Sequence, residues 1–283
     1  MLKQRIITAL LLLALLLPAT FYADARPFGL LTLALLAAGG WEWARLNGDA
    51  DRAALATGAL CALLCAASWY AGWPSAGLGL LWTGIGAFWV LAGAWALRAG
   101  APAWLALPVG LRRWGGVLLL WAAWLAVMQA RLMGINFLLS VLVLVWAADI
   151  GAYFAGRALG GRFFANKLAP SISPGKTWEG VAGGMLAVGV VAALWVLADR
   201  QLAPATPSLY SRLAAQGWPL LLLGLVFLSA MSVVGDLLES LFKRAAGVKD
   251  SSQLLPGHGG VLDRVDALLP TLPLALMLLG VAA

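Results

Sequence analysis

Hydropathy constrains this chain more than any other feature. About nine stretches of roughly twenty mostly apolar residues follow one another, near 5–23, 27–46, 53–71, 77–97, 115–131, 135–156, 179–198, 217–237 and 267–283. Of the 283 residues, 63% are hydrophobic and only 11% are charged, whereas an average soluble domain carries roughly 25% charged residues. A water-soluble globule of this size could not hide so much apolar surface, and a disordered chain would be far more polar. The expected fold is all-α: a polytopic integral membrane helical bundle of about nine transmembrane helices. That leaves no length for a separate soluble domain of ordinary size. The 33 glycines suit close helix–helix contact in lipid.

Charge placement gives an orientation. With the N-terminus in the cytoplasm, the nine spans put all but Arg26, Arg131, Arg200 and Arg212 of the 19 lysines and arginines on the cytoplasmic side. Lys3 and Arg5 before an apolar run, then Ala23-Asp24-Ala25, resemble a cleavable signal peptide. A retained first helix is preferred, because the apolar run continues to Tyr22 and many spans follow. Trp41, Trp43, Trp69, Trp73, Trp114 and Trp218 fall near predicted span ends, where indoles favour the head-group layer. The net charge of +7 comes with no basic run and no nucleic-acid motif, so anionic lipids and phosphates are the expected partners and nucleic acid is not. Cys61 and Cys65 have no second pair with which to build a zinc site and read as small packing residues.

The chain divides by content. Residues 1–134, with five spans, carry few ionisable groups inside their spans and read as scaffold; Glu42 is an exception, next to Arg45 at a span end. Residues 135–283 form the expected catalytic region, with long polar connections at 157–178 and 238–266 that fall on the cytoplasmic side. No internal repeat and no paired broken helices are visible, which speaks against a solenoid or a secondary transporter.

Ionisable groups within spans are costly and mark function by default. Asp149 is one, with Tyr153 one turn later on the same face; the plainer alternative is a hydrogen bond between helices. Next come Lys167, Ser173, Pro174, Gly175, Lys176, Thr177 and Glu179. Gly175-Lys176-Thr177 looks like the end of a phosphate-binding P-loop, but Pro170 stands where that loop needs glycine and no strand precedes it. Ser173-Pro174 reads instead as a helix start whose backbone N–H groups, with Lys176 and Thr177, could hold an anion.

The densest stretch is 235–266. A helix over 236–246 would stack Asp236, Ser240 and Lys243 on one face and pair Glu239 with Lys243. Pro256-Gly257-His258-Gly259-Gly260 cannot be regular structure, and its glycines allow close backbone approach to a ligand. Asp263 and Asp266 follow, one turn apart. Carboxylates crowded without a Cys/His cluster point to Mg²⁺, and Lys243, Arg244, Lys249 and Arg264 suit phosphate oxygens. Such a mixture fits phosphoryl or nucleotidyl transfer. His258, the single histidine, suits phosphate contact or helix orientation better than general-base work.

At Ser240, Lys243, Arg244, Lys249, Asp250, His258, Gly259, Gly260, Asp263, Arg264 and Asp266 the chain closely resembles the phosphatidate cytidylyltransferase (CDP-diacylglycerol synthase) family. The segments around Asp149 and from Ser173 to Gly180 share the resemblance, which covers roughly 145–270; the first half resembles the family only in hydropathy. The resemblance implies a Mg²⁺-dependent reaction of CTP with phosphatidate to give CDP-diacylglycerol and pyrophosphate. It also implies a homodimer in the bacterial inner membrane, with its active site on the cytoplasmic side. Asp236 and Asp263 are then the first choices as metal ligands, followed by Asp266 and Asp149. Lys243, Arg244, Lys249, Lys176 and Arg264 would neutralise phosphates, Ser240 and Ser173 would give hydroxyl contacts, and His258, Gly259 and Gly260 would shape the nucleotide pocket. A CTP-dependent lipid kinase or another lipid cytidylyltransferase would share this logic, and a transporter would need polar residues reaching both faces.

Overall fold

The computed structural model describes residues 2–281 and, among them, contains no β-strand. The side chain of Lys3 and the last two residues of the ninth predicted span lie outside the described residues. The helices are α1 (Leu2–Phe21), α2 (Arg26–Leu46), α3 (Asp51–Tyr70), α4 (Gly79–Ala106), α5 (Val109–Met133), α6 (Ile135–Leu159), α7 (Trp178–Leu202), α8 (Leu209–Ala215), α9 (Trp218–Ala245), α10 (Leu262–Val265) and α11 (Leu268–Val281). Each predicted span overlaps one long helix. Seven of these helices are long and apolar enough to cross a membrane, which makes this a multi-pass membrane protein. The other two are α2, with Arg26, Glu42 and Arg45 in its sequence, and the 14-residue α11, so the count of nine stands unconfirmed.

Helices outrun their apolar stretches where polar residues continue the hydrogen-bonded spiral. The eighth predicted span ends at 237, but α9 runs unbroken to Ala245, so Asp236 to Arg244 extend a membrane helix and do not start a new one. Similarly, α4 runs past 97 to Ala106, bent where Gly100 takes φ of 77° two residues before Pro102. The bend lays Trp104 against Trp43 and Phe242.

The bundle inverts the soluble pattern. Leu10, Leu63, Leu91, Leu194 and Leu222 are exposed on the outside, where lipid takes the place of water. The interior is centred on α5, whose Trp124, Leu125 and Ala126 are fully buried among α2, α3, α6 and α11. Cys61 and Cys65 are buried and unbonded, as packing residues would be. Trp43, expected at the head-group layer, is instead buried, its Nε1 donating to the carbonyls of Arg112 and Arg113 at 3.2 Å each. Trp73, Trp114 and Trp218 are exposed, as interfacial indoles are.

Helices α6 and α7 meet along a seam of small residues. A Cβ at Gly184 would stand 2.6 Å from the Ala148 carbonyl oxygen, and one at Gly151 2.8 Å from that of Gly183. This contact fixes the height of Asp149 on α6, next to Ala148 where Gly184 packs. At the far end, Asp199 ties α6, α7 and α8 by accepting from Asn136 Nδ2 at 2.9 Å, Ser208 N–H at 2.9 Å and Ser211 Oγ at 2.6 Å. Replacing Gly184 with Leu should overpack the seam at a cost of about 1–3 kcal/mol. A lower thermal unfolding midpoint in detergent is the expected reading, and an unchanged midpoint would contradict this packing.

Candidate active site

The polar residues singled out in the sequence gather at one end of the bundle, on three groups of elements. The first is the loop between α6 and α7. Its helix starts later than Ser173-Pro174 suggests: Thr177 is the N-cap, its Oγ1 accepting from Gly180 N–H at 3.1 Å, while Ser173 and Pro174 lie in the preceding turns. Lys167 closes this loop by donating to the Pro174 carbonyl at 2.6 Å. Glu179 is buried and accepts from the N–H groups of Gly161, Phe163 and Phe164 at 3.0–3.1 Å, so its charge folds the loop. Tyr153 accepts from Arg157 at 3.0 Å and is exposed on the outer face.

Lys176 leaves this loop and reaches α9, where its Nζ pairs with Asp236 Oδ2 at 2.6 Å. Ser240, one turn on, donates to Asp236 Oδ1 at 3.4 Å, as the stacking of that helix face predicts. Asp266, at the end of α10, accepts from its own following N–H, that of Ala267, at 2.7 Å. Burial raises the Asp266 carboxyl above the usual carboxylate range, and the charges of Asp236 and Asp149 push it the same way. Asp149, Asp236 and Asp266 therefore share one electrostatic environment in which Lys176 forms the ion pair.

Asp263 has a different fate from Asp266, although both lie on one short stretch. Its Oδ1 accepts from Lys243 at 2.5 Å, and Lys243 also pairs with Glu239. Its Oδ2 accepts from Ser251 N–H at 2.9 Å, Ser251 Oγ at 2.8 Å and Gly260 N–H at 2.7 Å. Burial would raise this carboxyl, but the bonds with Glu239 and Lys243 and those from the Gly260 and Ser251 amides outweigh it and hold it down at about 2. Asp263 is thus fully engaged by protein donors. Among the described residues no group of three or more His, Cys, Asp and Glu is gathered closely enough to hold a metal ion by itself.

The glycine loop reveals a residue that sequence reasoning placed in the scaffold. Glu42 of α2 is fully buried, and four donors converge on it: Ser252 Oγ at 2.6 Å, the N–H groups of Val261 and Leu262 at 2.8 Å each, and Ser251 Oγ at 3.2 Å, whose one hydrogen is shared with Asp263. A Cβ on Gly260 would collide with Ser251 Oγ and the Glu42 carboxylate, and one on Gly259 (φ 79°) would crowd Asp263. The glycines therefore admit the protein's own carboxylates to the loop backbone. From α1, Arg5 Nε donates to the Gly257 carbonyl at 3.0 Å and Thr8 Oγ1 to that of Pro256 at 2.9 Å, which gives the first helix a place in the folded protein. The sequence does show an acid inside an apolar stretch, but its freedom for the loop emerges only in the structure, where Arg45 turns toward Asp51.

The remaining expected residues lie around this core. Arg244, Lys249, Asp250 and Arg264 are exposed. Lys249 and Asp250, with Trp41, Arg45 and Ser252, line a polar groove of about 640 Å³. His258 is partly buried, its Nδ1 enclosed and without a partner among the described residues.

Comparison with known proteins decides the family. Residues 3–282 match the model of the cytidylyltransferase family. The chain is 40% identical over 288 residues to phosphatidate cytidylyltransferase of Pseudomonas aeruginosa, covering 100% of this chain and 98% of that one. It is 37% identical over 238 residues to the enzyme of that name from Brucella suis, covering 81% and 68%, and 50% identical over 140 residues to that from Haemophilus influenzae, covering 50% and 44%. The chain belongs to the cytidylyltransferase family. As a member it is a nucleotidyltransferase, and the resemblance read from the 145–270 region extends over both halves of the chain. The family match thus includes α2, from which Glu42 holds the loop.

Replacing Glu42 with Gln would turn an amide NH₂ toward N–H donors, and should cost at least about 2 kcal/mol. Faster hydrogen exchange over 251–262 than in the wild type is the expected signature, and unchanged exchange would show the anchor to be dispensable. For Asp263 the folded carboxyl lies below the ordinary 3.8, so its stabilisation is complete above about pH 4 and lost as pH falls toward 2. Thermal scans should show that loss in the wild type and a flatter profile for Asp263→Asn.

Proposed function

We propose that this cytidylyltransferase family member transfers the cytidylyl group of CTP to phosphatidate, giving CDP-diacylglycerol and pyrophosphate. The observation that carries the reading is the meeting of Lys176, Asp236, Asp149 and Asp266, from distant parts of the chain, at one end of an apolar bundle. A lipid in the bilayer and a nucleotide in water can both reach such a place. The full-length similarity to a phosphatidate cytidylyltransferase supports the choice of substrates.

A lipid phosphate oxygen attacks the α-phosphorus of CTP in line. A new P–O bond forms, the bond from the α-phosphorus to the bridging oxygen breaks, and pyrophosphate leaves with that electron pair. The lipid phosphate is already ionised, so neither a protein nucleophile nor a strong base is needed. The chain's task is positioning and charge neutralisation. Lys176, Arg244, Lys249 and Arg264 neutralise phosphates, Ser240 and Ser173 offer hydroxyls, and His258 with Gly259 and Gly260 shapes the nucleotide side.

Three carboxylates with one paired lysine leave a negative excess that suits a hard divalent cation completed by phosphate oxygens, so the donor set fits Mg²⁺. Asp236 and Asp266 would hold it, with Asp149 beside them. Asp263 would join only by releasing Lys243. When bound, Mg²⁺ would neutralise phosphate oxygens and make the α-phosphorus easier to attack.

The strong excess of Lys and Arg on the side of residue 5 supports a site facing the cytoplasm in a bacterial inner membrane. Arg5 and the glycine loop lie at the same end of the bundle, in keeping with that orientation. The homodimer implied by the family resemblance belongs to the same reading, and the particle mass in detergent checks it.

The test is a detergent assay with CTP labelled in the cytidine ring, phosphatidate and varied Mg²⁺. Label should enter the lipid with release of pyrophosphate, chelation should stop it, and Asp236→Asn should lower turnover at least about a hundredfold. Transfer of the γ-phosphate with no label in the lipid would show a kinase instead.

A further inference from the structure

Between α4, α5 and α9 lies an apolar cavity of about 530 Å³, within the range of ligand pockets. Trp89, Trp95, Trp104 and Trp114 line it, and Gly235, Glu239 and Asp266 form the wall toward the candidate active site. Because Trp95 and Trp114 are exposed on the apolar outside of the bundle, the cavity opens sideways toward lipid. Among the described residues one cation borders this space. Arg112 is only 8% exposed, its Nε is buried without a partner, and its guanidinium lies over the Trp104 ring at 5.8 Å. Among the described residues no carboxylate pairs with it, whereas the adjacent Arg113 has Asp49. Arg112 also lies level with the glycine loop, since Trp43 bonds its carbonyl while the neighbouring Glu42 bonds the loop.

A buried cation without an anion is costly, and so is an unfilled apolar cavity. A ligand with an anionic head and an apolar body relieves both. We infer that this cavity is the lipid subsite, with the phosphate of phosphatidate on Arg112 and an acyl chain among Trp89, Trp95 and Trp114. The identity of the lipid rests on the function proposed above. Asp266 borders the cavity and also lies in the field of Asp236, so the lipid phosphate comes to the reacting centre from the α4–α5 side and the nucleotide from the Lys176 side.

The test uses the full chain in detergent, without nucleotide or Mg²⁺, and phosphatidate bearing a photoreactive diazirine in one acyl chain. Label should fall on α4 and α5, and unlabelled phosphatidate should displace it, whereas diacylglycerol or inorganic phosphate at the same concentration should not. Arg112→Gln should weaken labelling about tenfold, with Arg112→Lys between it and wild type. Gly115 lines the cavity and a Cβ there meets nothing within 4 Å, so Gly115→Phe should put its ring into the cavity and also block labelling. In turnover assays both Arg112→Gln and Gly115→Phe should raise KM for phosphatidate and leave KM for CTP unchanged. Label spread evenly around the bundle, a wild-type KM in both of these variants, or chain-to-chain cross-links through α4–α5 would overturn the subsite. Wild-type protein that took up label on α4 and α5 but formed no CDP-lipid would instead overturn the function and leave the subsite standing.

Discussion

A buried carboxylate from the first half of this protein anchors the polar loop of the second. Glu42 sits on an early helix, yet it binds the hydroxyls of Ser251 and Ser252 and the N–H groups of Val261 and Leu262, more than 200 residues away in sequence. An anion in the interior is tolerated only when its oxygens are saturated. The four donors meet that condition and in doing so fix the loop that carries Asp263 and leads into Asp266. By itself this glycine-rich segment forms only the short turn closed by Leu255 and Gly259, so it depends on bonds from outside, of which those to Arg5, Thr8 and Asp263 support the Glu42 anchor.

The same loop divides labour between two acids that the sequence presents as a pair. Asp263 points back toward Lys243, Ser251 and Gly260, and braces α9 against the loop. Asp266 bonds none of these groups and lies in the field of Asp236 and Asp149 as well as of Lys243. Their separation comes from their partners: Lys243, Ser251 and Gly260 donate to Asp263, while Asp266 accepts only from the Ala267 N–H. Lys243 is drawn to the bracing cluster, and Lys176 from the loop before α7 takes its expected place beside Asp236.

Placement relative to the bilayer gives the arrangement its use. A reaction between a membrane lipid and a water-soluble nucleotide needs one apolar approach and one polar approach to the same charged centre. The bend of α4 at Gly100 and the small residues of the α6–α7 seam shape the two sides. The first closes Trp104 over the apolar cavity, and the second fixes Asp149 on α6 within the field of Lys176.

Much of this was legible in the primary structure. Apolar stretches of membrane length determined where the long helices run, and the fixed spacing from Ser240 to Asp266 marked the polar end of the bundle and its family, because both signals are local in sequence. The roles of Glu42, Arg112 and Trp43 were not legible, since each depends on a partner or a cavity supplied by a distant helix. Nor could spacing show that the glycines admit Glu42 and Asp263. Local pattern fixes which segments are helices and which residues are costly to place in them, while only packing decides which of those costs is met by another side chain and which is left for a ligand.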